Sequence, residues 1–328
     1  MNNIKFKALE VSEINGEYKR EIIEKEIKDL PAGELIVNVK YSSLNYKDAL
    51  SAAGNKGVTR EYPHTPGIDA AGIVVEDQSG TYQKGDEIIV TGYDLGMNTA
   101  GGLEEYIRIP ADWAVKLPEN LTLKESMIYG TAGFTAALSV YKLLAAAVEG
   151  KDILVTGASG GVGSFASAIL AKLGYEVTAA TGKTEAEAYF NNLGVKNIID
   201  RKELDDDSAK MLLKEKWSGV IDTVGGNLLS TAIKSTRYGG AVTCCGNVAS
   251  AKLDLNVYPF ILRGVSLFGI DSVQCKRGLR EEIWQKIASD WKIEQLDDFS
   301  NQVILNDLNE QIDKMLAGDS KGRVIVKI

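Results

Sequence analysis

In the first third of the chain, apolar residues fall in short runs, several of them alternating with polar ones. Residues 34–41, Glu-Leu-Ile-Val-Asn-Val-Lys-Tyr, alternate over most of their length, as a half-buried strand does. Gly72-Ile-Val-Val75 and Glu87-Ile-Ile-Val90 are short β-branched runs bounded by Gly and acidic residues. Leu103-Glu-Glu-Tyr-Ile-Arg-Ile109 stops at Pro110, and Pro63, Pro66, Gly67, Gly85 and Gly92 punctuate the connections. This part of the chain is expected to form a mainly antiparallel, barrel-like unit.

The pattern changes at residue 122. Thr122-Leu-Lys-Glu125 has the spacing of a capping box, and a helical pattern follows, with breaks, to Val148. Its most apolar part, 132–148, is interrupted by Thr135, Ser139, Tyr141 and Lys142, which suits a buried helix and not a membrane span. Strands are then predicted at 152–156, 175–180, 197–199, 219–222, 241–245 and 265–269. Helices are predicted between them at 162–173, 184–193, 204–216 and 227–236. This alternation builds βαβ units and a parallel sheet covered on both faces. Helices at 280–290 and 308–316 precede a terminal strand at 323–328, placed to return to the first sheet. The fold class is therefore α/β. The expected division is 1–121, then a nucleotide-binding domain at 122–271, then 272–328 rejoining the first domain.

The length of 328 residues suits about two domains. A net charge of −8 gives a nucleic-acid backbone little to hold, so no nucleic-acid partner is expected. The segment Met1-Asn-Asn-Ile-Lys-Phe-Lys7 has no apolar export region. Three cysteines, Cys244, Cys245 and Cys275, suit a reduced, cytoplasmic setting. With three cysteines and His64 the single histidine, a four-cysteine zinc site is impossible by count and a His-rich catalytic metal site is nearly so; no metal is expected.

The strongest local signal is Thr156-Gly-Ala-Ser-Gly-Gly-Val-Gly163, which follows a strand and opens a helix. Glycines at 157, 160 and 163 permit a tight turn and a close backbone approach, with helix N–H groups facing a pyrophosphate. Sites for NAD carry Asp or Glu near the end of the second strand. Here that position reads Ala179-Ala-Thr-Gly-Lys183, without an acid and with a cation. Lys183 and the Thr181 hydroxyl suit a 2′-phosphate, so the expected cofactor is NADPH.

At this point the chain resembles the zinc-independent quinone oxidoreductase branch of the medium-chain dehydrogenases/reductases, and within it the acrylyl-CoA reductase-like subgroup. The resemblance spans nearly the whole chain. It is carried by Ser42-Ser-Leu-Asn-Tyr-Lys-Asp-Ala-Leu50, Pro66-Gly-Ile-Asp69, Gly130-Thr-Ala-Gly-Phe-Thr135, the glycine-rich turn, Ile221-Asp-Thr-Val-Gly225, Pro259-Phe-Ile-Leu-Arg263 and Gly269-Ile-Asp-Ser272. It implies a GroES-like domain beside a doubly wound Rossmann domain. It also implies NADPH-dependent reduction of an activated C=C bond, such as that of acryloyl-CoA, or of a quinone.

By match to the family motifs, Tyr46 lies near the nicotinamide, and Ser159, Gly160, Gly161 and Val162 hold the pyrophosphate. Thr181, Gly182 and Lys183 take the 2′-phosphate end with Arg201 as helper, and Asn247, Ile261 and Ser272 line the nicotinamide side. Lys183 replaces the usual Arg, which removes a bidentate contact. Asn247 also differs in type, so a backbone contact is what carries over there. Zinc-using relatives place Cys and His ligands at the stretches that read Asn45-Tyr-Lys-Asp48 and Gly67-Ile-Asp69 here, and neither holds a Cys or His.

The expected mechanism is hydride transfer to the β-carbon, with the α-carbon protonated by Tyr46 or water. Asn45 and Asp48 would orient the nicotinamide, the ribose or Tyr46; Tyr46 is alternatively a wall residue that exchanges no proton. Two other readings are a quinone reductase and a non-catalytic NADPH-binding protein. The cations available for CoA phosphates are Arg60, Arg263, Arg277 and Arg280. An unpaired edge at the sixth strand makes a homodimer the default assembly.

Overall fold

The computed structural model describes residues 4–182, 187–320 and 322–328, and the chain divides into two units. The first comprises Met1–Thr131, Val273–Ala288 and Glu294–Ile328; the second comprises Ala132–Ser272 and Ser289–Ile293. Two terminal segments thus rejoin the first unit.

The first unit opens with a hairpin that the apolar pattern does not announce. Strands β1 (Lys5–Ile14) and β2 (Glu17–Glu26) pair antiparallel, with Lys5 opposite Glu26. Asn15 and Gly16 turn the chain between them with φ of 54° and 83°, the positive values a two-residue hairpin turn favours. There follow β3 (Leu35–Leu44), helix α1 (Tyr46–Ala52), β4 (Asp69–Asp77), β5 (Glu87–Thr91), β6 (Tyr106–Ile109), β7 (Ala114–Lys116) and helix α2 (Leu123–Ala145). On β3, Leu35, Val37 and Val39 are buried against Val74, Ile88, Val90, Ile107 and Ile109, the period of two that predicts the strand. The capping box forms: Thr122 N donates to Glu125 at 2.8 Å and Glu125 N to the Thr122 hydroxyl at 3.1 Å.

The second unit carries β8 (Asp152–Thr156), α3 (Gly161–Lys172), β9 (Glu176–Thr181), α4 (Glu187–Asn192), β10 (Asn197–Asp200), β11 (Trp217–Asp222), α5 (Gly226–Lys234), β12 (Thr236–Cys244), α6 (Tyr258–Arg263) and β13 (Ser266–Gly269). These six strands form one parallel sheet in the order β10-β9-β8-β11-β12-β13. Chain order runs outward from β8 in both directions, so the switch point lies between β8 and β11, where such sheets bind ligands.

The chain then adds α7 (Arg277–Ala288), β14 (Ser300–Ile304), α8 (Leu308–Leu316) and β15 (Arg323–Lys327) to the first unit. β15 pairs antiparallel with β3, placing Val324 opposite Leu44, and β14 pairs parallel with β15. The predicted return of the last strand is realised. The first unit's sheet runs β14-β15-β3-β4-β5-β7, with β6 also on β3. β3 joins β6 through Leu35–Asn38 and β15 through Tyr41–Leu44, with β4 along its other edge.

One predicted helix is absent. Residues 204–216 follow a short 3-10 turn, Arg201–Leu204, as an irregular segment. Its backbone bonds outward instead of along a helix: Leu213 N donates to Lys234 O and Lys216 N to Ser235 O, while Arg263 takes Leu213 O. Asp206 accepts from the Lys234 ammonium and from Ser208 N, so the acidic run is tied to the end of α5. Side chains of this kind compete with helical bonding. The helix predicted at 184–193 is described as Glu187–Asn192.

Candidate functional site

The glycine-rich turn sits at the C-terminal end of β8. Gly157 has φ 59°, and a β-carbon there would run into the Thr223 hydroxyl, so the tight turn requires glycine. Beyond the turn, α3 begins at Gly161 and presents first-turn N–H groups that lack intrahelical acceptors, the setting that favours an anion. Beside it lies a cavity of about 180 Å³ lined by Thr156, Gly157, Ser159, Ala180, Thr181, Gly182, Arg201, Val224, Leu228, Val248 and Ala249. Thr181 Oγ1 donates to Ser159 Oγ at 3.0 Å, joining the end of β9 to the turn.

Among the described residues, no carboxylate lines this cavity. Arg201, on the 3-10 turn after β10, lies against Gly182: a β-carbon at 182 would come within 3.2 Å of Nε and 3.4 Å of the guanidinium carbon. Among the described residues, the Arg201 guanidinium has no hydrogen-bond or ion-pair partner.

Of the residues singled out from sequence, Ser159, Thr181, Gly182 and Arg201 line the cavity, and Gly160, Gly161 and Val162 form the start of α3. Lys183 lies outside the described residues. Asn247 is exposed and adjoins Val248 of the lining; Ile261 is 66% exposed on α6. The Ser272 hydroxyl accepts from Thr135 Oγ1 at 2.8 Å. Val224 of the lining belongs to the 221–225 motif, whereas Leu228, Val248 and Ala249 carry no sequence signal of their own; the order of the strands brings them in.

In the first unit, Tyr46, Asn45 and Asp48 open α1. Tyr46 is the first residue of the helix, 52% exposed, and its phenol makes no protein hydrogen bond among the described residues. Asn45 and Asp48 are buried and fully engaged. Asn45 Nδ2 donates to Asp69 Oδ2 at 2.8 Å, and its Oδ1 accepts from Arg323 at 3.0 Å. Asp48 accepts from Asn45 N at 2.7 Å, Ile68 N at 2.9 Å and Gly67 N at 3.2 Å. These contacts assign both side chains to the helix start and the 67–68 loop.

Asp69 is the hub. It accepts from Ser43 Oγ at 2.6 Å, Thr131 Oγ1 at 2.6 Å and Thr131 N at 2.9 Å, with the Arg323 guanidinium 3.7 Å away. Arg323 is itself buried and also donates to Ser43 Oγ at 2.8 Å and Ile128 O at 3.2 Å. Gly130 breaks α2 with φ 50° and ψ −155°, and a β-carbon there would meet Asp69, Ser43 and Arg323. The break frees the Thr131 N–H for Asp69.

The arginines considered for CoA separate clearly. Arg280 is buried and donates to Thr91 O and Oγ1 and to Val273 O. Arg263 donates to three carbonyls, those of Leu213, Lys234 and Thr236. Both guanidinium groups serve the fold, which removes them as phosphate holders. Arg277 is held by Glu281 and Asp112, whereas Arg60 is exposed. His64 is a packing residue: its backbone pairs with Val11, and burial lowers its pKa. The three cysteines are free thiols.

Comparison with known proteins places this geometry. Residues 31–119 match the alcohol dehydrogenase GroES-like domain, and residues 161–290 match the zinc-binding dehydrogenase family. YhfP of Bacillus subtilis (strain 168), a putative quinone oxidoreductase, is 45% identical over 304 residues, 92% of each chain. The chain belongs to the medium-chain dehydrogenase/reductase family. The family's acrylyl-CoA reductase AcuI of Ruegeria pomeroyi is 40% identical over 327 residues, 98% of this chain and 99% of its own. The crystal structure of YhfP with NAD bound has a TM-score of 0.97 at 42% identity, covering 99% of this chain and 100% of that one. A Salmonella enterica yhdH oxidoreductase in complex with NADP has a TM-score of 0.95 at 39% identity, covering 98% and 99%.

The donor set of this medium-chain dehydrogenase/reductase does not fit zinc at the stretches 45–48 and 67–69. Their two carboxylates already accept N–H and O–H donors, and a guanidinium occupies the place beside Asp69.

Burial, followed by the charge of Asp69, pushes Asp48 from 3.8 up to about 7, against the N–H donors that pull it down. Between these values the folded state holds a proton that the unfolded state releases. Unfolding free energy should therefore fall as pH rises from about 4 to about 7, by at most about 1.4 kcal/mol per pH unit for one proton. Urea titrations at successive pH values should show a shallower fall in Asp48→Asn; an identical slope would contradict this titration.

Proposed function

We propose that this protein is an NADPH-dependent, metal-independent reductase of activated C=C bonds, acting on acryloyl-CoA or a similar α,β-unsaturated thioester or carbonyl. The observation that carries the coenzyme assignment is Arg201: its guanidinium, without a partner among the described residues, lies against Gly182 at the end of β9, where the described lining of the cavity holds no carboxylate. A carboxylate there would repel a 2′-phosphate, whereas a guanidinium binds it through charge-assisted hydrogen bonds. Lys183 adjoins this end in sequence and is assigned the same phosphate.

When bound, NADPH supplies a hydride. The chain's own residues bind and orient. Ser159 to Val162 hold the pyrophosphate at the start of α3, with Thr181 and Gly182 at the adenosine end. Asn247, Ile261 and Ser272 are assigned to the nicotinamide side. Tyr46, whose phenol has no protein partner among the described residues, donates a hydrogen bond or proton to the bound substrate. Asn45 and Asp48 fix the start of α1 and so orient Tyr46. The acyl substrate is supported by the 40% identity to an acrylyl-CoA reductase over almost all of both chains. A quinone is the second reading, favoured by the 45% identity to YhfP. A cytoplasmic setting suits the three free thiols. None of the described helices is long and apolar enough to cross a membrane. A homodimer through the outer edge of β13, the last strand of the parallel sheet, is the assembly this reading carries.

NADPH oxidation measured in parallel with acryloyl-CoA, a 2-enal and a quinone should be fastest with the thioester; a quinone turned over faster would favour the second reading. Arg201→Ala should weaken NADPH binding by about ten- to a hundredfold, the scale of a lost hydrogen bond to a charged group, with NADH affinity unchanged. Calorimetry showing equal losses for both coenzymes would contradict the role given to Arg201.

A further inference from the structure

Beneath the coenzyme cavity, the C-terminal ends of β8 and β11 are bonded to each other through side chains. Asp222 and Thr156 are both buried. Thr156 Oγ1 donates to Asp222 Oδ1 at 2.7 Å and accepts from Thr223 N at 3.1 Å. Thr223 Oγ1 donates back to Thr156 O at 2.8 Å. Asp222 Oδ2 accepts from Gly225 N at 2.8 Å, which holds Gly225 at φ 71° as it leads into α5. Val224 O in turn accepts from Ala249 N at 2.8 Å, and Asp222 O accepts from Cys245 N at 3.0 Å.

Two segments lining the cavity, the turn after β8 and the turn after β11, are thus tied through one carboxylate and one hydroxyl, and the loop at 248–249 joins the second of them through the backbone bond to Val224. Arg201 and Gly182, at the end read above as taking the 2′-phosphate, make no bond to this group. Sheet pairing fixes β8 and β11 only as far as Val155 opposite Ile221, so past those residues the spacing of the walls depends on these side chains.

We propose that Asp222 and Thr156 are positioning residues that hold the cavity walls at one spacing and so set affinity for the part of the dinucleotide common to NADPH and NADH. This rests on the coenzyme reading above. A positioning role of this kind moves both coenzymes together, whereas the Arg201 contact separates them.

The test is calorimetric titration of the intact protein with NADPH and with NADH. Thr156→Val and Asp222→Ala should each raise both dissociation constants by the same factor, about tenfold, leaving their ratio as in the unaltered protein. Thr156→Ser, which keeps the hydroxyl, should restore most of the affinity. If Asp222→Ala does not fold, the pair Thr156→Val and Thr156→Ser decides alone. Unchanged affinities in folded Thr156→Val, or a loss confined to NADPH, would overturn the proposal. Absence of binding of either dinucleotide to the unaltered protein would overturn the coenzyme reading itself, and this inference with it.

Discussion

Asp69 is a fully buried carboxylate, and its charge has to be met from inside the first unit. Ser43, Asn45 and Thr131 give it hydrogen bonds, and Arg323 brings the opposite charge. The donors come from β3, the start of α1, the break in α2 and the last strand. One carboxylate therefore ties together segments spread across almost the whole sequence. Removing a single partner would leave a buried charge uncompensated, which is far more costly than the net gain from forming the pair. Gly130 is drawn into the same requirement, since any side chain there would displace the network.

This arrangement has a chemical consequence. Zinc-using members of the wider family carry metal ligands at the stretches that hold Asn45–Asp48 and Gly67–Asp69 here. In this chain those stretches are neutralised internally, and the positive charge is a guanidinium committed to the fold. An electron-poor alkene or quinone needs less polarisation than an alcohol or ketone, so a reductase of such acceptors can work without a Lewis acid. The second unit supplies the rest through general means: a glycine turn, a helix start and one cation against Gly182. The selectivity for a phosphorylated adenosine proposed above rests on where that cation lies and on a cavity lining that holds no carboxylate among the described residues.

Much of this could be read in the sequence, for identifiable reasons. The inner strands β8, β9 and β11 are buried along nearly their whole length, so they stand out as apolar runs. The capping box at Thr122 and Glu125 and the returning strand at 323–327 depend on local pattern and form as expected. The hairpin β1–β2 escapes notice because β2, Glu17–Glu26, is charge-rich and only partly buried; its clear mark is Asn15-Gly16. The helix expected at 204–216 fails because its backbone is claimed by Lys234, Ser235 and Arg263, which lie far along the chain. Arg280 reads as an available cation in one dimension and Arg323 only as the start of a strand, and both are buried structural donors. Partnerships across hundreds of residues leave no local trace.

The proposed reduction needs no metal, because the chain's own residues fill the stretches where zinc-using members hold theirs. The most direct test is the rate of NADPH oxidation with acryloyl-CoA by enzyme dialysed against a strong chelator and shown by elemental analysis to be metal-free. Full activity, unchanged on adding zinc, is the predicted result. Loss of turnover on stripping, restored by zinc, would contradict the account.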